Sequence, residues 1–235
     1  MILINNKLMA IISGFMVVIF IGCNKDLKNQ QTSTTEKAPA AADLVTVITA
    51  NDTLIVDLEN STISWIGRKV TGEHSGTLNL SDGFVIWNGK SITGGKITFD
   101  MTSIKNTDIE SPEWKQKLEG HLKAEDFFHT DSFPHAILEI KRQTTIIEEN
   151  KTIHEGVLAD LTIRGMTHEI KFPFILTQSK NILTGEGSVD IDRTLYNIQY
   201  KSGKFFDDLG DHLIYDDFTV QFRIQTKEFG ANKEN

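Results

Sequence analysis

Ile153-His154-Glu155-Gly156-Val157-Leu158-Ala159-Asp160-Leu161-Thr162-Ile163 is the stretch that decides the fold class of this 235-residue chain. Ile153, Val157, Ala159, Leu161 and Ile163 share one parity, while His154, Asp160 and Thr162 take the other. Successive strand side chains point to opposite faces, so this alternation describes a strand with one buried side. The same rhythm returns in Ile170–Leu176, Leu183–Ile191 and Ile214–Ile224. Earlier strands are expected at Ile63–Val70, His74–Leu80, Phe84–Trp87, Ser91–Met101 and Ala136–Arg142.

Turn chemistry falls between these runs: Thr71-Gly72, Ser81-Asp82-Gly83 and Asn88-Gly89 are hairpin or turn signals. One segment breaks the rhythm. Ser111-Pro112-Glu113-Trp114-Lys115-Gln116-Lys117-Leu118 offers a Ser N-cap, Pro at the first helical position and an acid in the first turn. It predicts one short helix that ends before Gly120. Many short antiparallel strands with a single helical insertion predict an all-β closed barrel or a sandwich. About eight strands make a barrel just wide enough for one small ligand. Gly185 and Gly187 sit on the apolar parity, where they mark either barrel curvature or room for a ligand.

The first residues are read apart from the fold. Lys7 precedes an apolar run from Leu8 to Ile21 that is too short for a membrane span of about 20 residues. A basic start, a short apolar core and a small residue before Cys read as a secretory signal. Phe20-Ile21-Gly22-Cys23 resembles a bacterial lipobox, with Phe where Leu is usual. Met1–Gly22 is therefore expected to be a lipoprotein signal peptide, and Cys23 the lipidated residue. Cys23 is the chain's single cysteine, so no internal disulfide can staple the domain. Residues 24–51 are mostly polar and aperiodic, the composition of a flexible tether. The folded domain is expected from Asp52 to Glu228, followed by a short disordered tail.

Composition and motifs exclude several function classes. A net charge of −8, with no clustered Lys or Arg, argues against nucleic acid as a partner. No Gly-x-Ser-x-Gly elbow, phosphate-cradling glycine loop or dinucleotide fingerprint is present, so no catalytic residue is assigned. His121, His129 and His135 lie close in sequence, but no spacing matches a zinc signature, and no metal site is assigned. Asp190 and Asp192 share the outward parity and read as solvated acids.

A string of short motifs recurs in fixed order along the domain. Ser64-Trp65-Ile66-Gly67 opens it, followed by Gly72-Glu73-His74-Ser75-Gly76-Thr77-Leu78 and Gly94-Gly95-Lys96-Ile97-Thr98-Phe99-Asp100-Met101-Thr102-Ser103-Ile104. Then come Asp108, Lys117-Leu118-Glu119-Gly120-His121-Leu122-Lys123, Asp126-Phe127-Phe128 and Phe133-Pro134-His135-Ala136. The second half has Gly156 through Thr167, Asp192-Arg193-Thr194, Tyr196, Ile198 and Tyr200. This order resembles the YceI-like family. The resemblance implies an extended, lipocalin-like antiparallel β-barrel with a long apolar tunnel. It also implies non-catalytic binding of a polyisoprenoid, an isoprenoid quinone or prenyl phosphate, with no other cofactor. Leu138 and Tyr196-Asn197 depart from the Phe and Phe-Gly that family members often carry there.

If such a tunnel exists, parity puts Ile63, Trp65, Ile97, Phe99, Met101, Leu138, Ile140, Leu161, Phe172, Phe174, Val189, Phe218 and Phe222 on its wall. Phe127 and Phe128, after the helix, are a rim plug or a gate, and Tyr196 is placed with the lining. Arg193 continues the inward parity, where an unpaired charge is costly, so it needs a carboxylate such as Asp126 or Asp216. It either locks the barrel or faces a lipid head group, and His121 is grouped with it as a hydrogen-bonding residue. The expected partners are the lipid and, through the Cys23 anchor, a membrane, with the periplasmic face of the outer membrane as the site. A homodimer is compatible with this reading. The alternative is an accessory or interaction subunit of a membrane redox or stress-response system, with the barrel as scaffold.

Overall fold

The computed structural model describes residues 51–147 and 153–229. The expected signal, Cys23, the tether and the tail after Phe229 lie outside the described residues. The strands are β1 (Asp52–Ile55), β2 (Thr62–Lys69), β3 (Gly72–Trp87), β4 (Ile92–Asn106), β5 (His135–Ile147), β6 (Ile153–Ile163), β7 (Met166–Ser179), β8 (Ile182–Asp192) and β9 (Ile214–Gln225). One helix, α1 (Pro112–Lys123), follows β4.

Each strand from β3 to β9 pairs antiparallel with its predecessor, and β2–β9 closes the ring. The result is a closed eight-stranded antiparallel barrel, β2 to β9, with one helix. β1 is an addition to it, pairing with the far half of β3 from Asp52↔Trp87 to Ile55↔Phe84. Beyond β1, the Lys227 N–H donates to the Ile55 carbonyl and Val56 bridges Thr226. β1 and β2 thus serve the two halves of one long strand.

Short turns set the register. Between β3 and β4, Asn88 Oδ1 accepts from the N–H groups of Lys90 and Ser91, at 3.0 and 2.8 Å. Between β6 and β7, Arg164 and Gly165 both take positive φ, 51° and 74°, the backbone a two-residue hairpin of matching twist requires. The expected turn at Ser81-Asp82-Gly83 does not reverse the chain. Those residues form a register shift inside β3, opposite Phe99 and Thr98. Gly83 is needed there because an added Cβ would come 2.9 Å from Val56 Cγ2.

The helix is also longer than the expectation. It runs through Gly120 to Lys123 because Leu118 and Leu122, four residues apart, both pack on the barrel's apolar cluster. Gly120 meets nothing on its own side. Ser111 occupies the N-cap position, but its side chain makes no capping bond; its carbonyl accepts from Lys115 N–H at 2.9 Å.

One glycine is required by packing. Gly76 is buried on β3, and a Cβ there would collide with the Lys105 carbonyl and the Trp65 ring. Gly76→Ala is expected to destabilise the barrel by about 1–3 kcal/mol through overpacking. Thermal and denaturant unfolding check this, and an unchanged midpoint would mean that β4 yields freely at this point.

Candidate functional site

The inward faces of all eight barrel strands line one internal cavity of about 200 Å³. Its wall runs along β9 from Ile214 to Ile224, about 33 Å of strand at ~3.3 Å per residue. With strands tilted as in small barrels, that is an axial length of roughly 25 Å. Pockets for drug-sized ligands typically measure about 300–1,000 Å³. This space is therefore a thin bore, shaped for a chain and not for a compact ring system.

Its chemistry is almost wholly apolar. Ile63 and Trp65 of β2, Ile97, Phe99 and Met101 of β4, and Leu138 and Ile140 of β5 all border it. Leu161 of β6, Phe172 and Phe174 of β7, Val189 of β8, and Phe218 and Phe222 of β9 do so from the opposite side. Two edge-to-face pairs narrow the bore: Phe172 with Phe222 at 5.5 Å, and Phe128 with Phe218 at 6.1 Å between ring centroids. Glycines make room for these rings. An added Cβ at Gly187 would come 2.7 Å from Phe222, and one at Gly185 would come 3.5 Å from Phe174. Gly185 also borders the cavity.

Phe127 and Phe128 come from the segment after α1 and border the same end of the bore as Leu122, Arg193 and Ile191. Phe127 is buried and stacks edge-on against Phe128 at 5.2 Å. The pair packs the helix onto the rim. Thr226 and Leu183 border the opposite end, beside the Thr226 hydroxyl that accepts from the Leu183 N–H at 3.1 Å.

Arg193 is the charged residue this arrangement buries most deeply, at 2 % exposure. It opens a 3-10 turn, Arg193–Tyr196, directly after β8. Its Nε donates to the Tyr215 carbonyl at 3.0 Å, Nη1 to Ile198 at 2.7 Å and Nη2 to Ile214 at 3.0 Å. Asp216 Oδ1 lies 3.6 Å from Nη2. Burial pulls the guanidinium below its ordinary pKa, and Asp216 and Asp192 work against that pull. Of the two carboxylates expected for it, Asp216 is the partner and Asp126 is not. Asp126 is half-exposed and lies 3.7 Å from His121 Nδ1. His121 itself packs edge-on against Tyr200 and Phe127, at 4.4 and 5.5 Å, outside the bore. The clamp gathers backbone carbonyls: those of Ile214 and Tyr215 lie past the end of the β8–β9 ladder at Asp192↔Asp217, and that of Ile198 lies in the connection between the two strands.

The outward acids are engaged as well. Asp190 accepts from the Thr219 hydroxyl at 2.6 Å, and Asp192 accepts from Lys204 Nζ at 2.7 Å. Burial raises the Asp192 pKa, but hydrogen bonds from Lys204 and Thr194 outweigh it and leave the carboxyl below its ordinary value. Among the described residues no group of three or more His, Cys, Asp or Glu converges as metal ligands would. His129 bonds Ser132 at 3.0 Å, and His135 is exposed at the start of β5.

Residues 55–226 match the YceI-like domain family. The chain belongs to that family. Among solved structures, BcnA of Burkholderia cenocepacia superposes with a TM-score of 0.56 at 18% identity, over 73% of this chain and 99% of that one. A polyisoprenoid-binding domain from Saccharophagus degradans gives 0.53 at 12% identity, over 74% of this chain and 97% of that one. At such identities the likeness is one of fold. No curated protein matches the sequence.

One residue expected on the wall of this YceI-like barrel stands elsewhere. Tyr196 is 1 % exposed but does not border the cavity. Its place in the 3-10 turn takes it off the strand parity, and its ring meets His168 edge-on at 5.2 Å. Wall residues left out of that assignment include Val85, Val157, Ile191 and Val220. They obey the same alternation and were legible. Gly67 continues the inward parity of Ile63 and Trp65; Arg68, Tyr215 and Asp217 also border the cavity, and no alternation points to them.

The Tyr196 hydroxyl finds no hydrogen-bond partner among protein groups. Burial, with a smaller contribution from Asp192, pushes its pKa up to about 12. The unfolded chain would ionise near pH 10.0 while the fold holds the proton. Stability from this residue is thus whole below pH 10 and lost as pH rises toward 12. Tyr196→Phe should be neutral or stabilising by up to about 1 kcal/mol at neutral pH, and it should flatten the alkaline loss. A mutant clearly less stable than wild type at pH 7 would show that the hydroxyl is bonded.

Proposed function

We propose that this YceI-like barrel binds one long isoprenoid lipid, an isoprenoid quinone or prenyl phosphate, without transforming it. The observation that carries the reading is the bore itself, a narrow apolar channel threading the whole barrel. Burial of a hydrocarbon chain contributes roughly 0.8 kcal/mol per CH₂, so a long flexible lipid gains from every wall layer it passes. The fold likeness to a polyisoprenoid-binding domain supports the same ligand class. The wall offers no pair of nucleophile and base, and its deepest charge is occupied by carbonyls. A carrier needs neither.

The protein is further proposed to be exported and held at a membrane by acylated Cys23, with the outer membrane's periplasmic face as its station. Several acyl chains on one residue would anchor it firmly, since a single chain binds only marginally. Replacement Cys23→Ala is expected to move the protein from the membrane to the soluble fraction of the envelope. Unchanged membrane association would sink the anchor.

Native mass spectrometry of the protein from a bacterial periplasm tests the carrier reading. The expected result is a bound mass that steps in five-carbon isoprene units. A clean apo mass, unchanged after incubation with quinones and prenyl phosphates, would overturn it.

A further inference from the structure

Two strand pairings of the barrel carry long mismatches, and side chains treat them differently. In β3–β4, Thr77 pairs with Lys105 and Asn79 with Asp100, so residues 101–104 oppose Leu78 alone. Met101 and Ile104 fill that bulge from inside, and the Asn79 N–H donates to Ser103 Oγ across it at 2.8 Å. In β2–β9, Gly67 pairs with Phe218 and Lys69 with Ile214, so Tyr215, Asp216 and Asp217 face Arg68 alone. Gly67 has no side chain to fill this second gap. An added Cβ there meets no atom within 4 Å.

Parity identifies the same place. Along the barrel strands the cavity is bordered by inward-facing residues. At this gap it is also bordered by Arg68, Tyr215 and Asp217, which alternate with the inward Gly67, Asp216 and Phe218. An outer-face residue can border an inner cavity only where the wall is open. Tyr215 and Val70, on either side, are each about half exposed, at 49% and 48%.

The charges at the gap favour one kind of head group. Arg68 donates to Thr219 Oγ1 at 2.8 Å and lies 3.3 Å from Glu73. Arg193 holds three carbonyls and Asp216, and Lys204 holds Asp192 and lies 3.6 Å from Asp216. Lys69 is exposed and borders no part of the cavity. Asp217, at the opening, has no cation within ion-pair distance among the described residues. A diphosphate placed here would meet engaged cations and a free carboxylate. An uncharged oxygen head would meet hydrogen-bonding groups without repulsion.

From this geometry, and resting on the carrier reading above, we infer that the gap between β2 and β9 is the lipid's entrance. We infer also that it selects isoprenoids with an uncharged head, a quinone or alcohol, over prenyl diphosphates. The chain enters past Gly67 into the bore, and the head stays among Arg68, Tyr215 and Asp217.

A matched pair of ligands tests this, a polyprenol and the polyprenyl diphosphate of equal chain length, bound to the full-length protein and scored by native mass spectrometry. The alcohol should bind at least tenfold tighter, and Asp217→Lys should narrow that ratio by strengthening the diphosphate. Gly67→Trp should slow alcohol loading at least tenfold in a protein with unchanged circular dichroism. Gly67 does not take positive φ, so its backbone accepts a side chain, and Gly67→Leu serves if the larger ring prevents folding. Equal or tighter diphosphate binding would overturn the head-group selection. Loading at the wild-type rate through a folded Gly67→Trp or Gly67→Leu would overturn the entrance. Binding of neither ligand would overturn the carrier reading itself, and this inference with it.

Discussion

Closure of the strand ring is the constraint on which everything else in this molecule depends. A barrel has no free edge, so its backbone groups pair around the circumference and each strand must present one parity inward. Eight strands leave too little width for a second layer of structure inside. The inward residues therefore have only each other to meet, and they meet as rings and branched chains around a bore. The hollow is a consequence of closure, and its apolar wall is a consequence of the alternation that closure enforces.

Keeping that bore narrow without filling it depends on where bulk is withheld. Phe222 lies over Gly187 and Phe174 over Gly185, so the rings rest close against the sheet instead of meeting across the axis. The two readings of those glycines, curvature or room for a ligand, are joined in one arrangement. Their missing side chains admit aromatic rings, and the rings in turn form the wall. At the far end Thr226 and Leu183 tie β9 to β8, and at the near end Leu122, Phe127 and Phe128 seat the helix on the rim.

Alternation made the strands and most of the wall legible, because parity is a local property of the chain. Trp65, Phe99, Phe172 and Phe222 could be assigned to the inside without knowing which strands were neighbours. What failed was non-local. Ser81-Asp82-Gly83 has the composition of a turn, yet both flanks pair with β4, and that partner decides the outcome. Asp126 stands near the helix end in sequence, but the carboxylate that reaches Arg193 arrives from β9. Tyr196 shares the motif string with true wall residues and leaves the wall because the strand ends at Asp192. The gap at Gly67 belongs to the register between the first and last strands of the ring. No window of sequence contains it.

Arg193 ties these non-local features together. A buried guanidinium carries a heavy desolvation cost, and well-packed apolar residues often serve stability as well or better. What an apolar residue cannot do is donate hydrogen bonds to three carbonyls at once. The carbonyls of Ile214 and Tyr215 lie past the end of the β8–β9 ladder at Asp192↔Asp217, and the Ile198 carbonyl lies in the excursion after the 3-10 turn. With Arg193 in place, the first residues of β9 stay tied to the end of β8, while Ile214 still pairs with Lys69 of β2. The wall can then stand open at Gly67 without leaving those backbone groups unpaired. The clamp and the opening are two sides of one arrangement, so a charge that looks ill-suited to an apolar barrel is what lets the barrel have a door.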